Sequence, residues 1–321
     1  MDKFLFKDWY VVCRTDEIET NKILLKNIFD QEIIIWRKNK KIMAWENLCI
    51  HRGSRLSLGS IENGILKCAY HGWEYDESAQ CTKIPSQTDI KIPKKACVKN
   101  YKVIEKMGLL WINISKNQNK FIGIKEFENS NFKYAASGPY FMNASAPRIM
   151  ENFLDVAHFP FVHENHLGIK ERALINDYEV VTTESGIDAT NVKVFQPNPD
   201  GTNTPGEVTY DYHVHSPFFA SFGKDVSTEG RFVLAFYVTP VSESKSMIYS
   251  LTLMNFGELN EKSIREYQDF ITAQDIPIVE SQRPELLPMD LQAELSIRSD
   301  KISIAYRRYL KKMNISFGVA E

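Results

Sequence analysis

Short runs of β-branched and aromatic residues, separated by polar turns, dominate the first third of the chain. The first is DWYVVCRT and the last is LLWINIS, and Gly, Asn, Asp and Lys residues lie between the runs. Short strands at this spacing are typical of a small antiparallel sandwich or barrel. The pattern therefore predicts an all-β N-terminal domain.

The pattern changes twice beyond that domain. Residues 115–135 are polar and weakly patterned, as a linker would be, and a helical segment follows at 147–166. Strand-like runs with period two then return, such as RFVLAFYVTP, before the stretch NEKSIREYQDFITAQDIPIVESQ, which predicts a helix with Asn260 as its N-cap. We expect two domains, 1–118 and 119–321, in an α+β protein.

Composition narrows the class of protein. The chain has 321 residues, of which 43% are hydrophobic and 25% charged, and a net charge of −2. These values are ordinary for a globular protein and argue against a basic groove for nucleic acid or a polybasic membrane patch. The charged start MDKFLFKDWY lacks the apolar core of a signal peptide, and five cysteines form no disulfide framework. We expect a reduced, cytoplasmic protein that binds neither nucleic acid nor membrane.

The first candidate metal site lies within the predicted all-β domain, in the segments CIHRG and CAYHGW. It reads Cys49-x-His51, sixteen intervening residues, then Cys68-x-x-His71. Zinc fingers usually pair Cys with Cys and His with His, whereas mixed couplets are typical of a Rieske [2Fe–2S] centre with two Cys on one iron and two His on the other. We interpret the four residues as cluster ligands. A zinc site and two unrelated buried pairs are the alternatives.

The second candidate site lies in the stretch ENFLDVAHFPFVHENHLG. Asp155 and His158 share a helical face, but His163 does not. Pro160 lacks an amide proton, so we expect the helix to bend or stop there, which could turn His163 toward His158 as a second ligand of one metal. His166, at a ligand-like spacing from His163, could replace it or lie in the pocket.

An Fe(II) ion that activates O₂ needs two His and one carboxylate on one face, with the other coordination positions open. Asp155 lies too close in sequence to His158 to reach the same metal comfortably, so the carboxylate must come from elsewhere. A further pair, His213 and His215, lies on one face of a predicted strand, but no carboxylate is associated with it. We interpret these two histidines as pocket-lining or exposed.

These motifs resemble those of the Rieske non-haem iron oxygenases, in their catalytic α subunit. The resemblance runs from DWYVV to the end of the chain and rests on CIHRG, CAYHGW, NFLDVAHFPFVH and, more weakly, QDIPIVESQRP. Within that family the chain is most similar to monooxygenases that include vanillate- and dicamba-type O-demethylases and saxitoxin-pathway hydroxylases. The resemblance implies a Rieske domain followed by a helix-grip-like antiparallel sheet whose helices carry a mononuclear iron.

The resemblance also implies roles for individual residues. It implies that Asp275 is the third iron ligand, beside His158 and His163. Asp269 and Glu266, on the same predicted helix, are the alternative carboxylates for this position.

Asp155 matches a bridging carboxylate of the family, bonded to an iron histidine of its own chain and to His71 across a head-to-tail homotrimer interface. Asn152 matches an asparagine of the iron pocket. We expect Asp155 to gate electron transfer and not to bind the metal.

The expected function is that of a terminal oxygenase component, which uses O₂ and externally supplied electrons to hydroxylate or oxidatively demethylate a small organic substrate. No G-x-G-x-x-G follows a strand and no second Cys cluster is present, so NAD(P)H should act only through a separate reductase, with or without a ferredoxin. An aryl cis-dihydroxylating dioxygenase is the enzymatic alternative. A Rieske electron carrier with a non-catalytic ligand-binding domain, and a zinc-stabilised binding module, are alternatives of other classes.

Overall fold

The computed structural model describes residues 2, 4–184, 186–226, 230–257 and 260–321. The chain divides into two compact units. One comprises residues 6–119, and the other comprises residues 1–5 together with 120–321.

The unit of residues 6–119 is built from strands alone, apart from short 3₁₀ turns. Its ten strands are β1 (Tyr10–Arg14), β2 (Leu24–Ile28), β3 (Gln31–Lys38), β4 (Lys41–Glu46), β5 (Ser60–Glu62), β6 (Ile65–Lys67), β7 (Glu74–Tyr75), β8 (Cys81–Lys83), β9 (Lys102–Lys106) and β10 (Leu109–Asn113). They form antiparallel sheets in the orders β1-β10-β9, β2-β3-β4 and β5-β6-β7-β8. Trp36 and Trp45 meet edge to face in its core, and Tyr75 is fully buried there. The all-β prediction for this region is confirmed.

An antiparallel sheet of seven strands forms the body of the second unit. The strands are β11 (Lys133–Met142), β12 (Glu179–Thr182), β13 (Ile187–Gln196), β14 (Gly206–Ser216), β15 (Phe219–Asp225), β16 (Arg231–Ser242) and β17 (Lys245–Met254). Their order is β11-β17-β16-β15-β14-β13-β12, so only β11 departs from the order of a simple meander. A parallel pair, β18 (Leu287–Pro288) and β19 (Val319–Ala320), completes the strands. The predicted antiparallel sheet is confirmed.

Four helices complete the described part of this unit. They are α1 (Ala146–Leu154), α2 (Phe159–Val162), α3 (Glu261–Ser281) and α4 (Lys301–Lys312). Asn260 caps α3, since its Oδ1 accepts the amide protons of Lys262 and Ser263, and α3 packs along β11. The prediction of this helix and its cap is confirmed. No helix in the described ranges is both long and apolar enough to cross a membrane.

The helix break before the second histidine lies earlier than the sequence predicted. Helix α1 ends at Leu154, and Asp155, in extended conformation, accepts the amide proton of Ala157 on its own Oδ1 at 2.7 Å. Pro160 instead lies in the first turn of α2, where the helix needs no amide donor. The break assigned to Pro160 was therefore wrong, because the side-chain hydrogen bond of Asp155 ends the first helix.

A buried ion-pair network fixes α1 to α4. The Arg307 guanidinium donates to both carboxylate oxygens of Glu151, at 2.6 and 2.7 Å. Glu294 accepts from Arg307 and, at 2.8 Å, from Arg148, whose side chain is fully buried. The network anchors α1, which carries Asn152 and leads into Asp155 and His158.

Two candidate metal centres

Two tight loops of matching design present the four ligand-type residues of the all-β unit. In the first, the carbonyl of Cys49 accepts the amide proton of Gly53 at 2.9 Å. In the second, the carbonyl of Cys68 accepts that of Gly72 at 3.0 Å. Both glycines have φ near 70°, a left-handed conformation that a side chain would strain. The sequence therefore folds each Cys–His couplet into a similar turn.

The side chains of the two loops meet. The rings of His51 and His71 lie 4.5 Å apart, and His51 stacks on Trp73 at 4.5 Å with an interplanar angle of 8°. Cys49 is buried, and its Sγ lies 3.1 Å from the Tyr75 hydroxyl. Burial raises the pKa of the Cys49 thiol, although contact with Tyr75 opposes the rise. A cation is therefore needed to hold this thiol as a thiolate.

The four residues fit a two-iron cluster better than a single zinc ion. Nδ1 of His51 is buried and has no hydrogen-bond partner among the described residues, as a metal-binding nitrogen would. A tetrahedral zinc ion requires its four ligand atoms to lie within roughly 4 Å of one another. In the described part of the chain, no three ligand atoms of this set meet even a 4.8 Å limit. Two separated couplets suit two metal ions.

In the second unit, His158, His163 and Asp275 form a group whose ligand atoms all lie within 4.8 Å of one another. The Nε2 atoms of the histidines are 3.2 Å apart, and Asp275 Oδ1 lies 3.5 Å from that of His158 and 3.2 Å from that of His163. Two imidazoles and one carboxylate on a single face fit an Fe(II) ion with open coordination positions.

The competing residues lie elsewhere. Asp269 accepts a hydrogen bond from the Tyr140 hydroxyl at 2.8 Å, and Glu266 is exposed opposite Lys262. His166 lies edge to face with Phe270 on the wall of the adjoining cavity, which agrees with its interpretation as a pocket residue.

Hydrogen-bonding groups orient both histidines. His158 Nδ1 lies 3.3 Å from Asp155 Oδ2, and His163 Nδ1 lies 2.8 Å from Gln274 Oε1. Burial favours the neutral imidazole of His163, but contacts with Asp275 and Gln274 outweigh burial and raise its pKa. Donation from Nδ1 to these oxygens leaves Nε2 of both rings free to bind a metal. The sequence pattern did not predict a role for Gln274, whose only signal is its place beside Asp275.

The other two predicted residues lie at the edge of this group. Asn152 Nδ2 donates to Asp275 Oδ1 at 3.4 Å, and Asp155 keeps 33% of its side chain exposed. Asp155 thus faces His158 on one side and solvent on the other. A second cavity, of about 230 Å³, borders Asp155, His158 and the strongly exposed Leu295.

A cavity of about 640 Å³ opens beside the three candidate iron ligands. Phe153 stacks on Phe236 at 4.3 Å, with nearly parallel rings. Several aromatic residues line the wall of this cavity: Phe153, Phe159, Tyr210, Phe222, Phe232 and Phe236. A cavity of this size and lining suits a small, planar organic molecule.

His213 and His215 do not line that cavity. His213 Nδ1 contacts Asp188, and His215 Nε2 lies 2.8 Å from Ser221 Oγ. Burial, together with the neighbouring His213, lowers the pKa of His215 to about 3. Within the described ranges these histidines belong to no three-ligand group, so the structure does not bring them to a metal centre.

Comparison with known proteins gives two family matches. Residues 8–102 match the Rieske [2Fe-2S] domain, and residues 142–314 match the vanillate O-demethylase oxygenase C-terminal domain.

Individual relatives are also found. The chain is 34% identical over 217 residues to the probable methylxanthine N7-demethylase NdmC of Pseudomonas sp. (strain TJI-51), covering 66% of this chain and 77% of the relative. It is 26% identical to methylxanthine N1-demethylase NdmA of Pseudomonas putida, covering 97% and 90%. The solved structure of Pseudomonas putida CBB5 NdmA with caffeine has a TM-score of 0.81 at 25% identity, covering 96% of this chain and 91% of that one.

Proposed function

This chain belongs to the Rieske non-haem iron oxygenases, as a catalytic α subunit, and we propose that it is the terminal oxygenase of a monooxygenase system that demethylates or hydroxylates a small organic substrate. One observation carries the proposal. A group of two histidines and one carboxylate borders a cavity with several aromatic side chains in its wall, in a chain that also carries paired Cys–His loops. The relatives named above are N-demethylases, which favours demethylation.

The residues divide between two cofactors. Cys49, His51, Cys68 and His71 would hold the [2Fe–2S] cluster. His158, His163 and Asp275 would hold the iron through two Nε2 atoms and one carboxylate oxygen. When bound, the cluster supplies single electrons and the iron activates O₂.

The protein's own part is to orient ligands and exclude water. Asp155 and Gln274 fix the tautomers of the two histidines, while the aromatic side chains of the cavity would hold the substrate beside the ligand residues. The overall reaction takes one O₂, two electrons and two protons, places one oxygen atom in a substrate C–H bond and releases the other as water. Where the carbon is an N- or O-methyl group, the hydroxylated product releases formaldehyde.

The electrons would come from a separate NAD(P)H-dependent reductase, with or without a ferredoxin, because the chain lacks the dinucleotide fingerprint. We further propose a head-to-tail homotrimer, in which His71 of the partner subunit approaches Asp155. Exposed apolar side chains beside each centre support this arrangement: Ile50 and Tyr70 next to the cluster histidines, and Leu295 next to Asp155. Asp155 would then link the two histidines across the interface.

Incubation with a reductase, NADH and candidate substrates tests the proposal. We expect O₂ uptake coupled to formaldehyde release or to a mass gain of one oxygen atom, from protein that holds three irons per chain. A dioxygenase would incorporate both atoms of ¹⁸O₂ into one product. A Rieske electron carrier would hold two irons and consume no O₂ with any substrate, and that result would overturn the proposal.

A further inference from the structure

One wall of the large cavity carries a buried lysine. Lys224 lies on β15 with 8% of its surface exposed, in register with Tyr210 of β14 and Phe232 of β16. Its Nζ is 5.9 Å from the ring centre of Tyr210 and 5.4 Å from that of Phe232. All three residues line the cavity that the candidate iron ligands also border. The ammonium group therefore lies among aromatic side chains in the expected substrate pocket.

The hydrogen-bond partners of this ammonium group are neutral. Nζ donates to Gln196 Oε1 at 2.8 Å and to the Pro199 carbonyl at 2.9 Å. A lysine ammonium has three donors, so these two bonds leave one donor without a hydrogen-bond partner among the described residues. Among the described residues Lys224 has no ion-pair partner. The charge of Asp200 attracts the ammonium group without an ion-pair contact, and the Asp200 carboxylate accepts hydrogen bonds from Thr202.

A buried charge without an ionic partner is costly, which is why buried lysines usually pair with acids or lose their proton. Burial lowers the pKa of Lys224 to about 8, so the group remains mostly charged at pH 7. A carboxylate entering the cavity would neutralise this charge and fill the third donor position. A neutral carbonyl would supply the hydrogen bond without the charge.

We propose that Lys224 determines substrate class by binding the carboxylate of a planar aromatic acid, whose ring packs against the aromatic wall while its oxidisable carbon faces the iron ligands. This inference rests on the proposed function and deepens it. Methylxanthines, which are named for the two relatives, carry no carboxylate. The structure therefore assigns this chain a different substrate chemistry from theirs.

Equilibrium binding without turnover tests this assignment apart from activity. A panel of aryl carboxylates, beginning with 3-methoxybenzoate, is titrated calorimetrically into the iron-loaded protein without reductant, and each acid is matched with its carboxamide. We expect at least one acid to bind about tenfold or more tightly than its amide, as a charge-assisted hydrogen bond would give. Lys224→Met should remove that preference and Lys224→Arg should retain it. Lys262→Met, an exposed change on α3, is the matched control.

Two results would overturn the assignment. One is the absence of any acid-over-amide preference across the wild-type panel. The other is a preference that survives in Lys224→Met, which would mean that the lysine only anchors the segment containing Gln196 and Pro199. Failure of the proposed oxygenase function would appear as absent O₂ uptake while the binding preference persists.

Discussion

Gln274 and Asp275, consecutive residues of α3, contact the two ring nitrogens of a single histidine. Gln274 Oε1 lies 2.8 Å from His163 Nδ1, and Asp275 Oδ1 lies 3.2 Å from its Nε2. His163 is itself almost fully buried, so few other groups can orient its ring. The side-chain amide thereby selects the tautomer in which Nε2 is free to bind a metal.

Replacing Gln274 by Leu should weaken iron binding at the mononuclear site by about 10- to 100-fold, because the ring loses its orienting acceptor. Gln274→Glu keeps an acceptor oxygen at that position and should retain most of the affinity. Competition with a chelator, followed by iron analysis, measures the effect, and the visible absorption of the cluster serves as an internal control. Equal iron retention in Gln274→Leu and wild type would show that the contact does not support the site.

Asp275→Asn should lose about one iron per chain and abolish turnover, because the charged ligand of the three is removed. The cluster spectrum should not change. Asp269→Asn, six residues earlier on the same helix, removes a carboxylate that bonds the Tyr140 hydroxyl and should keep all three irons. If Asp269→Asn lost the third iron and Asp275→Asn kept it, the ligand assignment would have to be exchanged.

Asp155→Asn should keep both metal centres and the cluster absorption but lose most turnover. The carboxylate orients His158 and, in the proposed trimer, would link it to the partner subunit's His71. Single-turnover measurement of cluster reoxidation separates this effect from metal loss, since slow reoxidation at full iron content is the expected signature. Asp177→Asn, at an exposed position paired with Lys301, is the control. Wild-type turnover in Asp155→Asn would reject the bridging role.

Arg307→Met should destabilise the second unit by about 3–5 kcal/mol, because Glu151 is left buried without its bidentate partner. The neighbouring Arg308 is exposed, so Arg308→Met should leave stability within about 0.5 kcal/mol of wild type. Urea unfolding of the two variants, followed by far-UV circular dichroism, makes the comparison. Equal unfolding midpoints would mean that the network does not hold α1 in place.

The local parts of this architecture could be predicted from sequence, whereas the parts built by long-range packing could not. The Cys49 and Cys68 loops are short turns whose glycines and ligands lie within a few residues of one another. In contrast, Asp275 reaches His163 only because α3 packs along β11. The spacing of residues along the sequence could not by itself select Asp275 over Asp269 as the third ligand.

Other features were missed for identifiable physical reasons. Strand β11 was not predicted, because its AASGP stretch lacks the β-branched residues that mark strands, and its first three residues lie in the predicted linker. The continuous strand-like pattern of residues 208–222 holds parts of two strands, β14 and β15, which are separated by a turn at Pro217 and Phe218. The sequence pattern did not indicate a role for Lys224, because its position in the cavity depends on the register of three strands.

The proposed pairing of Lys224 with a carboxylate makes affinity for aryl acids depend on pH. Such acids stay ionised above about pH 5, so the protonation state of Lys224 determines how their affinity changes with pH. The protonated lysine binds the anion, whereas the deprotonated lysine has no charge to attract it. The pKa of free Lys224 is about 8, because burial outweighs the attraction of Asp200. Affinity should therefore be constant at pH 6–7 and should fall toward a tenfold loss per pH unit above the lysine pKa.

The other groups that face Lys224 do not titrate in this window. Gln196 and Phe232 carry no ionisable proton, burial raises the pKa of Tyr210, and hydrogen bonds from Thr202 lower that of Asp200. Calorimetric titrations of one acid from pH 6 to 10 measure the profile in wild type and in Lys224→Arg. Because a guanidinium stays charged throughout, Lys224→Arg should show a flat profile. A wild-type profile that is also flat would mean that the lysine charge does not contact the bound anion.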